Sequence, residues 1–319
     1  MKRRAGVLIN LVSGRGNGKG QALAEHLQNA EHINLCVLDN FSAFTPGLDQ
    51  MAKDGVTDLF VSSGDGTVQA ALTHVVQSGR WAERPRICIL PHGTTNLSAG
   101  DIGFQRRAIS AQAAFITSLP QAKTKTRHSL HVINPKTGGP RHGLTFGAGA
   151  AATATRHAQV VYNDRGVKGG LASLATIASA LGKAAFTTAR AGDLSRLDRP
   201  CMMQIEPDGD LKQHGPQLMF MATTLNHLFF KTNPFWGERK GPIRATAIPF
   251  PVPNIIRWAL PLMYGGDDRK VPDSAWSFSG NGFSIRCEEP YVMDGEFFEG
   301  PENGPLRVEA GPAFTFITG

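Results

Sequence analysis

Phe60-Val61-Ser62-Ser63-Gly64-Asp65-Gly66-Thr67 is an apolar run that ends in small residues just where a helical pattern starts. Pro91-His92-Gly93-Thr94-Thr95-Asn96 repeats the device after the next apolar run. Backbone N–H groups at a helix start can face bound phosphate, so two such turns in one α/β segment point to a nucleotide. Around them, residues 5–119 alternate apolar strands with amphipathic helices. Strands are expected at Ala5–Leu11, Asn34–Leu38, Leu59–Val61 and Ile87–Leu90, and helices at Gln21–Ala30, Leu48–Lys53, Val68–Gln77 and Arg106–Leu119. That rhythm predicts a parallel sheet with helices on both faces.

After Pro120 the texture changes to short β-type runs with Gly and Pro punctuation, from Leu130–Ile133 through Tyr291–Met293 to Phe314–Ile317. This suits an antiparallel β-sandwich. The Ala-rich Leu171–Ala189 is the one helix expected there. The polar, basic joint at Gln121–Arg127 sets the expected division, a nucleotide-binding domain over residues 1–124 and a sandwich over residues 125–319. A ligand is expected in the cleft between them, beside the carboxyl ends of the parallel strands.

With 319 residues the chain is long enough for two cores, and 33 Lys and Arg against 26 Asp and Glu leave +7. That balance favours an anionic partner such as nucleotide phosphate or a membrane surface, or is plain solubility charge. The basic residues are dispersed, with no recognition motif, which argues against nucleic acid. Cys36, Cys88, Cys201 and Cys287 are far apart in sequence and lack CxxC spacing, as in a reduced, cytoplasmic protein. Behind the basic Met1-Lys2-Arg3-Arg4, Ala5–Val12 is too short and β-like for a secretion signal. Gly170–Phe186 and Ile255–Tyr264 fall short of the roughly 20 apolar residues of a membrane span.

Three turns and a late acidic loop carry the chemistry. The first turn, Asn10-Leu11-Val12-Ser13-Gly14-Arg15-Gly16-Asn17-Gly18-Lys19-Gly20, brings glycines and donors to an anion without matching either a Walker A loop or GxGxxG spacing. In the second, Asp65 serves phosphate only by holding Mg²⁺ or taking a proton, while Gly64, Gly66 and Thr67 approach oxygens directly. Thr94 and Thr95 of the third offer hydroxyls, and Asn96 braces the turn or touches the ligand. Read alone, each is also an ordinary capped strand-to-helix joint. Asp294-Gly295-Glu296 follows a strand, so that a turn presents two carboxylates. Phosphoryl transfer to an alcohol needs one to accept the proton. His92 reads as a hydrogen-bonding residue rather than a metal ligand.

Together, Asn10–Gly14, Ser63–Thr67, Leu90–Asn96 and Asp294–Glu296 resemble the NPxSG, GGDGT, GTxN and DGE elements of the diacylglycerol kinase catalytic-domain family, which includes sphingosine, ceramide and bacterial lipid kinases. The resemblance implies an ATP- and Mg²⁺-dependent lipid kinase acting at a membrane surface, with diacylglycerol, a sphingoid base or ceramide as acceptor. By matched position it assigns nucleotide binding to Asn10, Ser13, Gly14, Ser63, Gly64, Asp65, Gly66, Thr67, Gly93, Thr94, Thr95 and Asn96. Catalysis falls to Glu296, with Asp294 and Asp65 beside it, and Asp65 also serves the metal. In sphingosine kinases, whose SGDG variant this chain shares, the matching Asp is proposed as the base, so Asp65 and Glu296 both stand as proton acceptors. Leu11, Ser63, Leu97 and Gly100 depart from the family pattern. An NAD kinase-like or other small-alcohol kinase, a silent nucleotide or lipid sensor, and a homodimer stay open at this stage.

Overall fold

The structure, a computed structural model, describes residues 3–93, 96–165, 199–209, 212–228 and 231–319. The expected helix at Leu171–Ala189 lies outside the described residues, as do Thr94 and Thr95. The chain forms two compact units, Met1–Ser129 with Pro312–Gly319, and Leu130–Gly311.

The first unit runs β1 (Ala5–Asn10), α1 (Lys19–Leu27), β2 (Asn34–Leu38), α2 (Phe44–Lys53), β3 (Asp58–Ser63), α3 (Asp65–Gln77), β4 (Arg86–Pro91), α4 (Ala99–Ile102) and α5 (Ile109–Ser118). Its strands pair in parallel in the order β2-β1-β3-β4. Both faces of β1 and β3 are covered, which is why they read as unbroken apolar runs rather than alternating ones. Val7, Ile9, Phe60 and Leu90 pack with Leu23 and Leu27 of α1 and with Phe115 and Ile116 of α5. On the opposite face α2 presses on β1 so closely that a Cβ on Gly6 would lie 2.9 Å from Met51 Sδ. The expected parallel layer is therefore present. Two helices begin a turn earlier than the hydrophobic period indicated, α3 at Asp65 and α2 at Phe44.

The joint expected at Gln121–Arg127 is built differently: β5 (Thr124–Val132) runs through it. Lys125 and Arg127 alternate onto one side of that strand and meet Asp101, whose carboxylate is 1% exposed; Arg127 Nε lies 2.9 Å and Lys125 Nζ 3.3 Å from it. A basic stretch that reads as a linker is thus a strand neutralising a buried acid.

The second unit is antiparallel, as expected. It contains β6 (Arg141–Gly143), β7 (Thr145–Gly149), α6 (Ala150–Arg165), β8 (Cys201–Pro207), β9 (Gln213–Thr223), β10 (Ile243–Pro249), α7 (Ile255–Tyr264), β11 (Trp276–Gly280), β12 (Gly282–Cys287), β13 (Tyr291–Met293), β14 (Glu296–Phe298) and the first half of β15 (Leu306–Ile317). The sheet branches at β9, whose first half pairs with β8 and whose second half pairs with β7 and β10. Phe146, Phe220, Phe283 and Tyr291 meet in its core with ring centroids 5.0–6.1 Å apart. α6 and α7 are helices the strand-like texture did not predict. Among the described residues no helix is long and apolar enough to cross a membrane.

Candidate functional site

Chain order in the parallel sheet places β2 on one side of β1 and β3 on the other. The carboxyl ends of β1 and β3 therefore flank the point where the winding reverses, the place where open α/β sheets receive ligands. The loop after β1, the Ser63–Thr67 turn and the Pro91–Asn96 turn all start there.

These three segments touch. A Cβ on Gly93 would fall 2.2 Å from Gly64 Cα, and one on Gly64 would sit 3.3 Å from Ser13 Oγ. Gly14, at φ +60°, brings its backbone against the third turn, where a Cβ would lie 2.5 Å from His92 O. Only glycine allows main chains to approach this closely. Side chains then lock the loops. Asn10 donates to Thr67 Oγ1 at 3.0 Å and accepts from Val12 N–H, while Asn17 donates to His92 O at 2.9 Å. Asn96, in the left-handed region at φ 49°, closes its own turn with hydrogen bonds to the N–H and carbonyl of Gly93.

Under this cradle, Ser62 Oγ bonds His92 Nδ1 at 2.8 Å, so His92 is the hydrogen-bonding residue expected of it. Burial, then the charge of Lys19, pulls the imidazole down to about 4 against an opposing contribution from Gln112, keeping it neutral near pH 7. Among the described residues, the buried Ser63 Oγ has no hydrogen-bond partner and no side chain caps the first turn of α3. Unused donors thus collect where an anion would lie.

Asp65 is committed to the structure. Oδ2 accepts from Leu97 N–H at 2.8 Å, and Oδ1 accepts from the N–H and hydroxyl of Ser98 at 3.2 and 2.7 Å. Burial raises its carboxyl above the ordinary range, and these hydrogen bonds work in the opposite direction. A carboxylate has about four lone-pair sites, so Oδ2 retains room for one further donor or a cation. The bracing roles of Asn17, Ser62, Leu97 and Ser98 are not legible in the sequence. Ser98-Ala99-Gly100-Asp101, with capping-box spacing, was the available signal for the last of them.

In the second unit, Asp294 (φ 48°) and Gly295 (φ 90°) form the two-residue turn of a hairpin closed by the Met293 and Glu296 pair. The two carboxylates diverge. Asp294 is buried and accepts from Leu144 N–H at 2.8 Å and from the N–H and hydroxyl of Thr145 at 2.9 and 2.8 Å. Glu296 is exposed at the head of β14, and its carboxylate makes no hydrogen bond among the described residues. Its charge acts on the guanidinium of Arg141, which stacks 4.8 Å above Phe298.

An α/β unit whose glycine turns pack together beyond its parallel strands defines a fold class, and comparison with known proteins narrows it. Residues 4–126 match the diacylglycerol kinase catalytic domain. Over 99% of this chain and 97% of the other, the fold is similar to the crystal structure of a diacylglycerol kinase from Bacillus anthracis str. Sterne, at 16% identity and a TM-score of 0.64. Two further structures from that organism, each 16% identical, match with TM-scores of 0.65 and 0.63. Among curated proteins, none matches the chain.

Proposed function

We propose that this protein is an ATP-dependent lipid kinase that transfers the γ-phosphate to a hydroxyl of diacylglycerol, a sphingoid base or ceramide. The observation that carries the reading is the packing of the three glycine turns at the switch point, with Gly93 on Gly64 and Gly64 beside Ser13. In this reading the N–H groups of Gly64, Gly66 and Thr67, with the Ser63 hydroxyl, hold phosphate oxygens. Asn10, Ser13, Gly14, Gly93, Thr94, Thr95 and Asn96 shape the cradle. Mg²⁺ would neutralise charge on the triphosphate, and the open Oδ2 position of Asp65 fits one bond to it.

Glu296 is assigned the proton. As the lipid oxygen bonds to the γ-phosphorus and the bond to the departing diphosphate breaks, the exposed carboxylate accepts the hydroxyl hydrogen. Asp294, buried and held by Leu144 and Thr145, is assigned the positioning of the hairpin rather than the proton. Leu260 and Tyr264, 69% and 52% exposed on α7, with Arg257 beside them, support work at a membrane surface.

The test offers γ-labelled ATP with diacylglycerol, sphingosine or ceramide in mixed micelles, and with NAD and soluble alcohols. Label in one lipid class is expected. Label in NAD, or in none of the lipids, overturns the assignment. Glu296→Gln is expected to lower kcat by ~100-fold or more with ATP binding retained, and Asp65→Asn to do so with weaker Mg²⁺ dependence. Unchanged turnover in both variants would remove these roles.

A further inference from the structure

Cys201 opens β8 and Cys287 closes β12, two neighbouring antiparallel strands. Folding thereby brings together two of the four free thiols, far apart in sequence, to an Sγ–Sγ separation of 3.1 Å. We propose that this pair is a modification site, an oxidisable dithiol that a hydroperoxide closes into a disulfide between β8 and β12.

The two sulfurs are not equivalent. Cys201 is 3% exposed, whereas Cys287 is only half-buried and is the sulfur an oxidant meets. Cys287 Sγ shares a hydrogen bond with the Cys201 thiol and accepts from the Glu289 N–H at 3.4 Å, which together lower its pKa against the opposing effects of burial and of the Glu289 and Glu288 charges. Arg199, ion-paired with Glu289, adds positive charge near both sulfurs. Low-pKa, reachable thiolates beside a resolving cysteine are the ones that oxidise reversibly.

The chemistry balances. The Cys287 thiolate attacks one peroxide oxygen; an S–O bond forms, the O–O bond breaks, and alkoxide or hydroxide leaves, taking a proton from water. Cys201 then attacks the sulfenic sulfur; S–S forms, S–O breaks, and hydroxide departs with the Cys201 proton as water. Two thiols are oxidised by two electrons and one hydroperoxide is reduced. Closing the bond needs a sulfur movement of about 1 Å.

The test is independent of any kinase activity. The full chain is treated with hydrogen peroxide at equimolar amount, and its intact mass and non-reduced peptides are measured. Loss of two hydrogens and a crosslinked pair of peptides carrying Cys201 and Cys287 are expected, reversed by dithiothreitol. In Cys201→Ser, Cys287 should be trapped by dimedone as the sulfenic acid, ~10-fold faster than Cys36, the half-buried single thiol of the same chain. No such crosslink in the wild type, or equal labelling of Cys287 and Cys36 in the variant with its circular dichroism intact, overturns the proposal. Should the variant fail to fold, the wild-type peptide map decides alone.

Discussion

Asp65 and Asp294 sit in unrelated turns yet are held the same way. Each accepts the N–H of one residue and both the N–H and the hydroxyl of the next, Leu97-Ser98 in the first case and Leu144-Thr145 in the second. Such a bracket fixes a carboxylate and the loop that donates to it. Asp294→Ala strands three donors, one buried and two half-buried, and is expected to cost about 3 kcal/mol, read as a lower urea midpoint. Thr145→Val removes one donor of the same bracket and should cost about 1 kcal/mol. Near-equal losses would mean that Asp294 does not organise the turn. His92 supplies a pH signature. Its folded value of about 4 lies below the ordinary 6.5, so the neutral ring favours folding. That stability is full above pH 6.5 and is lost as pH falls through 6.5 towards 4, because only the unfolded chain binds the proton. The loss is about 3 kcal/mol at most, and His92→Gln should flatten the midpoint's decline between pH 7 and 4.5 relative to the wild type. An unchanged slope would refute the buried neutral ring.

At the scale of elements, the glycines were legible because their spacing after strand-like runs is a local property. Which carboxylate braces and which remains available was not. The donors to Asp65 stand 32 and 33 positions away, and those to Asp294 stand 149 and 150 positions away, beyond any window of periodicity. Asp294-Gly295 carries the strongest short hairpin signal and the turn itself is expected, but the returning strand β14 has only three residues, too few for a period of its own. α6 was missed for a different reason: Ala150–Arg165 mixes Ala, Thr and charged residues with little contrast between faces. Gly93→Ala tests the cradle as an element. The added methyl would meet Gly64 Cα at 2.2 Å, so the second and third turns must part. Nucleotide affinity is expected to drop ~10-fold or more by calorimetry with the melting temperature moving by only a few degrees. Unaltered affinity would show that contact between these turns is not needed to hold phosphate.

For the chain as a whole, the expectation of two consecutive domains omits the return of Pro312–Gly319 to the first unit. No local pattern announces it. Phe314, Phe316 and Ile317 read as one more buried strand, and only pairing shows that Phe316 lies parallel to Ile87 of β4. The end of the chain is pinned further by Thr318 N–H to Lys123 O at 2.9 Å and Lys123 N–H to Gly319 O at 2.8 Å. A stop after Gly311 would bare the edge of β4 and uncover surface now buried under three large apolar side chains. Burial of each contributes roughly 1.5–3 kcal/mol, so the truncation should cost more than about 4 kcal/mol, a large share of a domain's stability. An uncovered parallel edge is also prone to pair with another chain. The shortened protein is therefore expected to be aggregated or to unfold at much lower urea concentration, with the first unit losing its hydrogen-exchange protection ahead of the second. If exchange in β3 and β4 were as slow in the truncated chain as in the full one, the last strand would not be part of the frame that holds the glycine turns.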